Sequence, residues 1–404
     1  MSHPSTLVLI MAAAVLAPLL VEGVARWVRI PLVIFEIALG IVMGPDVLGW
    51  ARTDQVIDTL SDLGLAMLIF LAGYEIEFAA VRGTVLRRAT GAWLISLVLG
   101  IGIAFWLGGG DTYQAFVIGT ALTSTALGTV LPILRDGGDL RTPFGTVMSV
   151  FGAVGEFGPI VAMALLLSGR RPGESAALLI VFGAITVAVV LWALRPRPPW
   201  FSRLVDKTVD SSGQFAVRFV MLLLAAMVGL AEAFGLDILL GAFAAGILTR
   251  LVLQGASPTN SARIFGKVEA MGFGFLVPLF YVVTGIEFDL RALLDGGRAL
   301  ALLPVFLLLF LLVRGGPAYL LAPLGLPRAD RSALTLFAST CLPLVAAITA
   351  IGVEQKVLAT DEAAALVGAA MLSVLLLPLA AMRLRARSGG SGRVSSDSVE
   401  SEAW

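Results

Sequence analysis

Apolar runs of transmembrane length recur from one end of the chain to the other, separated by short charged or Gly/Pro-rich turns. A helix needs roughly 20 mostly apolar residues to cross the hydrocarbon of a bilayer. The runs fall at about 5–25, 30–49, 60–79, 88–108, 113–134, 144–168, 175–194, 214–235, 237–254, 267–286, 299–323, 332–352 and 363–383. They predict an all-α polytopic membrane protein of about thirteen transmembrane helices within residues 5–384. The first run lacks the basic leader of a signal peptide and reads as a true span. The polar stretch from Arg195 to Gly213 predicts a hydrophilic connection between two halves. From residue 385 to 404 the chain turns to Ser, Gly and acid, which predicts a disordered tail.

Lys and Arg are unevenly shared between alternate loops. Nineteen lie in the set that includes Arg26, Arg82, Arg135, Lys207, Arg328 and Arg385, against six in the set of Arg52, Arg170, Arg171, Arg291, Arg298 and Lys356. The positive-inside rule then predicts an outside N-terminus and a cytoplasmic C-terminus in a bacterial inner membrane. An odd number of spans agrees with that split.

Composition narrows the function. The chain is 58% hydrophobic and 14% charged, far from the roughly 25% charged residues of soluble domains, and leaves no room for a soluble catalytic domain. The only histidine is His3, so a proton crossing the membrane must ride on carboxylates or water. The only cysteine is Cys341, which excludes intrachain disulfides and cysteine-rich metal sites. No P-loop, zinc signature or nucleophile–base set is present. An enzyme is not expected, and neither a cofactor nor a nucleic-acid partner is called for.

The two halves repeat each other. Gly73-Tyr-Glu-Ile-Glu-Phe78 ends the third span and Thr284-Gly-Ile-Glu-Phe288 ends the tenth; Ser124-Thr125 in the fifth matches Ser339-Thr340 in the twelfth. A shift of seven spans reverses the direction of each repeated helix, which is the inverted repeat of many secondary transporters. The fifth span carries Thr120, Thr123, Ser124, Thr125, Thr129 and Pro132, and the twelfth carries Ser339, Thr340 and Pro343. Hydroxyls, small residues and a proline there predict two helices broken at the prolines and crossing near the midplane. Taken singly, each hydroxyl also fits ordinary back-bonding to its own helix.

Glu156 is the only charged residue between Phe144 and Ser168, and so falls at mid-membrane. A charge there costs about 2.5 to 3.5 kcal/mol on insertion scales. Arg314 interrupts the uncharged run from Ala299 to Pro327 in the same way. It remains protonated and so serves as a counter-charge, either structural or competing with a cation for Glu156. Glu36, about six residues inside the second span, is a candidate accessory acid. Glu22, Glu75, Glu77, Glu232, Asp237 and Glu287 sit at span ends, where interfacial roles are the default.

Residues 29–49, Leu63 to Glu75 and Gly241-Ala-Phe-Ala-Ala-Gly246 resemble motifs of the monovalent cation:proton antiporter-2 family, which includes sodium/proton and Kef-type potassium/proton exchangers. The likeness covers about residues 5–384. It implies a homodimer in which a core moves like an elevator against a scaffold. The scaffold would be about 5–80 and 214–290, the connector helix 175–194, and the core 87–169 and 298–384. Glu156 falls where that family places its ion-binding aspartate and Arg314 where many members have lysine. Thr123, Ser124 and Thr125 match its broken-helix residues. Two departures stand out: one of the two adjacent acids of electrogenic members is replaced by Gly155, and the remaining acid is Glu. A Kef-type nucleotide-binding domain is not expected from this sequence.

The expected function is exchange of Na+ or K+ for H+, with the two ions competing for Glu156 and no net charge moved. A sodium-coupled organic-solute or anion symporter of related architecture, or a non-transporting membrane sensor, remains open on the residues alone.

Overall fold

The computed structural model describes residues 3–24, 31–75, 83–140, 142–166, 172–193, 214–253, 258–295 and 297–388. All regular structure among them is helical: α1 His3–Val24, α2 Leu32–Met43, α3 Gln55–Glu75, α4 Thr84–Leu107, α5 Thr112–Ala121, α6 Leu127–Asp136, α7 Pro143–Leu166 and α8 Pro172–Ala193. After the connection come α9 Phe215–Ala233, α10 Ile238–Leu253, α11 Pro258–Met271, α12 Val277–Glu287 and α13 Leu290–Asp295. The last group is α14 Arg298–Leu309, α15 Gly316–Leu320, α16 Arg328–Ala338, α17 Pro343–Glu354 and α18 Thr360–Ser388. Wide π-type turns, Gly272–Leu276 and Phe310–Gly315, join α11 to α12 and α14 to α15.

Among the described residues, nine continuous or broken helices are long and apolar enough to cross a membrane. Leu32–Met43, Ala177–Val189 and Ile238–Leu253 are shorter apolar helices. Bulky apolar side chains such as Leu19, Val98, Ile180 and Leu222 point outward, as they must where the surroundings are lipid. The chain is a multi-pass membrane protein.

Contacts sort the helices into two groups. In one, α1 packs on α2, α2 and α3 on α12, α3 on α10, and α10 on α9. In the other, α4 packs on α5 and α7, α17 on α5, and α14 and α16 on α18. Helix α8 touches α7 and α10, between them. Lipid supplies no hydrophobic drive for helix association, so close packing has to do it, and small residues set the distance. A Cβ added at Gly40 would lie 2.1 Å from the Val282 carbonyl oxygen, and one at Gly285 would lie 2.2 Å from that of Ile37. At α3 and α10, a Cβ on Gly73 would reach 2.4 Å from the Phe243 carbonyl, and one on Gly246 2.1 Å from that of Phe70. The glycines of the sequence motifs are therefore points of backbone contact.

Two expectations change. The fifth span does not break at Pro132, which lies inside α6 with its side chain outside the described set; the break is at 122–126. Pro343 does follow a break, as the first residue of α17, where its missing N–H costs no helical bond. The last helix passes the boundary expected at 385, because Arg385 donates to Asp330 at 2.9 Å and also pairs with Asp139. Residues 195–213 and 389–404, with the predicted connection and most of the predicted tail, lie outside the described residues.

Candidate functional site

The two breaks are made by hydroxyls. Helix α5 ends where Thr123 and Ser124 turn their side chains back onto the carbonyls of Thr120 and Ala121, at 2.8 and 2.9 Å. The N–H of Thr125 leaves the helix and donates to the Gly155 carbonyl on α7 at 3.0 Å. In the second break Ser339 donates to Thr335 at 2.8 Å and Thr340 to Leu336 at 3.1 Å. The breaks are tied directly to each other: the Thr125 hydroxyl donates to the Ala338 carbonyl at 2.6 Å, and the Ala126 N–H to that of Thr340 at 2.7 Å. Helix α18 supports the crossing through Ser373, whose hydroxyl accepts the Cys341 N–H at 3.0 Å. Interrupted backbone at membrane depth is thus satisfied inside the protein, as the absence of water requires. Thr120, Thr123, Ser124, Thr125, Ser339 and Thr340 are all buried.

Glu156 faces this crossing from α7 and is 1% exposed. Its carboxylate accepts the backbone N–H of Leu127, the first residue of α6. That places a negative group at the positive end of a half-helix. The other oxygen, Oε2, has no hydrogen-bond partner. A buried carboxylate oxygen without a donor needs a proton or a cation. Next in the chain, Phe157 stacks on Phe243 of α10 with ring centroids 4.8 Å apart, joining the two helix groups beside the acid.

Arg314 is brought in by the wide turn at Phe310–Gly315, of the type that often marks functional sites. It is fully buried. Its Nε donates to the Thr125 hydroxyl at 2.9 Å and its Nη2 to the Phe151 carbonyl at 2.7 Å, while Nη1 has no partner. The guanidinium therefore holds the crossing and α7 together and makes no hydrogen bond with Glu156. Gly155 makes this possible. A Cβ there would lie 2.3 Å from Arg314 Nη2 and 2.4 Å from Thr125 Oγ1. The missing neighbouring acid and the buried arginine are one packing fact.

The structure brings together Glu156, Thr125, Arg314 and the start of α6, with Ser339 and Thr340 across the crossing. The hydroxyl hydrogens of Thr123 and Ser124 are committed to α5, which leaves their oxygen lone pairs as the groups they could offer a cation. The Thr120 hydroxyl is buried without a partner. Glu36 and Thr129 stand apart, lining a cavity between the two helix groups. Among the described residues no group of three or more His, Cys, Asp or Glu could hold a resident metal. The sequence reading missed Phe151 and Ser373 and took Gly155 only as a lost acid, because their parts in the site depend on contacts between distant segments. It also placed Glu75 only at a span end. Glu75 accepts from Arg135 of α6 at 3.2 Å, Arg135 also reaches Glu269 of α11 at 3.3 Å, and Glu75 is near enough to act electrostatically on Glu156.

The chain is similar to proteins already known. YjbQ of Bacillus subtilis (strain 168), whose name marks it as a candidate Na(+)/H(+) antiporter, is 26% identical over 96% of this chain and 64% of its own length. Cation/H(+) antiporter 15 of Arabidopsis thaliana is 26% identical over 85% of this chain and 44% of its own. The chain thus spans less than two thirds of the length of these two relatives. The solved structure of the sodium proton antiporter MjNhaP1 from Methanocaldococcus jannaschii at pH 8 superposes with a TM-score of 0.67, covering 94% of this chain and 96% of that one at 16% identity. The likeness shows a shared fold, with the inverted repeat and crossed broken helices expected from the sequence. The sequence profile of the sodium/hydrogen exchanger transmembrane family matches residues 11–383, and the chain belongs to that family.

Proposed function

We propose that the chain is a secondary antiporter that exchanges Na+ or K+ for H+ at Glu156, without covalent chemistry. The observation that carries this is the carboxylate itself: 1% exposed, held by one backbone N–H at the start of α6, and with one oxygen unpartnered. A proton and a dehydrated cation can each satisfy that oxygen, and not both at once. Only the loaded forms spare the membrane a bare buried charge, so movement restricted to loaded forms couples the two fluxes. The relatives' names, with Na(+)/H(+) and cation/H(+) exchange in them, support the same substrates. In this reading α4–α7 and α14–α18 form the moving core, and α1–α3 with α9–α12 the scaffold of a homodimer. The C-terminus faces the cytoplasm of a bacterial inner membrane.

One acid and one permanent cation make the exchange electroneutral. With a proton bound, Glu156 is neutral and Arg314 contributes one positive charge. With a cation bound, the carboxylate and the ion cancel and the same charge remains. The test of the site is Glu156→Gln in proteoliposomes, which should lose cation-driven proton flux while folding normally. Exchange at the parent rate by the purified variant refutes the assignment.

A further inference from the structure

Away from the crossing, a cavity of 410 Å³ opens between the two helix groups. Its scaffold wall includes Val33 and Glu36 of α2 and Val277 and Tyr281 of α12; its core wall includes Thr129 of α6 and Leu379 of α18. It also reaches Val21, Pro31, Gly137 and Met382, all at the membrane side where α18 ends. The volume far exceeds the roughly 10–15 Å³ that one water needs, so an ion could sit there with part of its hydration shell.

Three oxygen-bearing side chains meet this space. Glu36 is 3% exposed, lines the cavity and, among the described residues, takes part in no hydrogen bond or ion pair. Tyr281 shares a hydrogen bond with Thr129, bridging scaffold and core. Tyr281 is also within electrostatic reach of both Glu36 and Glu156. A carboxylate buried in an apolar wall without a counter-charge is costly and marks a functional position. Hydroxyl and carboxylate oxygens are ligands for hard cations, and a single negative charge suits a monovalent ion rather than the several carboxylates Ca²⁺ recruits.

We propose that Glu36, with the hydroxyls of Tyr281 and Thr129, forms a second binding site for a partly hydrated monovalent cation, on the path to Glu156. Because Glu36 and Tyr281 belong to the scaffold and Thr129 to the core, the site is assembled only when the two groups stand as they do here. Sliding of the core disassembles it and drives its ion onward or back. The site therefore raises the effective affinity on one side of the membrane only. This inference rests on the exchange reading for its role in transport, while binding itself can be measured without transport.

The experiment measures equilibrium binding of radioactive Na+ and Rb+ to the purified full chain and to its variants. Glu156→Gln should retain a cation site, and the pair Glu156→Gln with Glu36→Gln should retain none. In oriented proteoliposomes, Glu36→Gln should raise the cation KM about tenfold from the side where α18 ends, the effect of an interaction worth about 1.4 kcal/mol. It should leave KM from the other side within about twofold. Tyr281→Phe, which keeps the ring, should shift the same KM in the same direction by less, and Glu36→Asp should recover part of the affinity. Binding that is absent in Glu156→Gln, or that persists undiminished in the double variant, overturns the second site. So does an equal KM change from both sides. Failure of the exchange reading shows differently, as undiminished transport by Glu156→Gln.

Discussion

Gly155→Ala is the smallest change that tests how the crossing is built. The added Cβ falls 2.3 Å from Arg314 Nη2 and 2.4 Å from Thr125 Oγ1, with the Thr125 Cβ at 2.8 Å. Side-chain carbon does not approach so closely, so the guanidinium or the α5–α6 break must shift. Two bonds are exposed to that shift: Nη2 to Phe151 at 2.7 Å and Nε to Thr125 at 2.9 Å. Hydrogen bonds to charged groups contribute about 1.5–3 kcal/mol each, and a displaced buried guanidinium finds no water to replace them. Allowing for partial relaxation, the loss should be about 2–5 kcal/mol, large for a single methyl group. The assay is a double-mutant cycle with Arg314→Ala, followed by thermal unfolding in detergent and by exchange rates. In the Arg314→Ala background the guanidinium contact is gone and only the clash with Thr125 remains, so Gly155→Ala should cost less, with a coupling of at least about 1 kcal/mol. An alanine variant as stable as the parent, or one destabilised equally with and without Arg314, refutes the packing argument.

Two further outcomes follow from the same geometry. A Cβ at Gly285 would sit 2.2 Å from the Ile37 carbonyl and 2.9 Å from the Gly40 Cα, so Gly285→Val should cost about 1–3 kcal/mol or more. A parent-like melting profile for that variant would show that α2 and α12 separate freely. The equal charge of the two loaded forms of Glu156 and Arg314 predicts that an imposed valinomycin potential alone, without a pH gradient, drives no uphill sodium movement. Sustained potential-driven uptake would mean that another acid titrates during the cycle.

Much of the fold was legible because a membrane makes the code simple. Long apolar runs have one regular solution, and breaks such as that at Leu342 need internal partners. Hydroxyl pairs such as Ser124-Thr125 and Ser339-Thr340 were visible for that reason. The prolines misled at one break of two. Pro343 begins a half-helix, whereas Pro132 is carried inside α6, and the fifth span is opened by hydroxyl back-bonding and by Thr125 reaching Gly155. Proline marks a place where a helix can break, and competing hydrogen bonds decide where it does.

The site was legible in its charges and opaque in their pairing. Glu156 could be placed at mid-membrane by counting residues in its own span, and its burial needed no partner to predict. What Arg314 does depends on segments separated by more than 150 positions: its hydrogen bonds run to Thr125 and Phe151. Sequence alone suggested that a buried acid and a buried base belong to each other. The structure shows why a base can lie close to the site without neutralising it. Arg314 spends two donors on the Thr125 hydroxyl at the first break and on the Phe151 carbonyl of α7, and Glu156 is held instead by the N–H of Leu127. A direct ion pair would have satisfied the carboxylate permanently and left nothing for a transported ion to offer. Keeping the arginine on the scaffolding of the crossing, in space that Gly155 leaves empty, supplies positive charge nearby while Oε2 stays available.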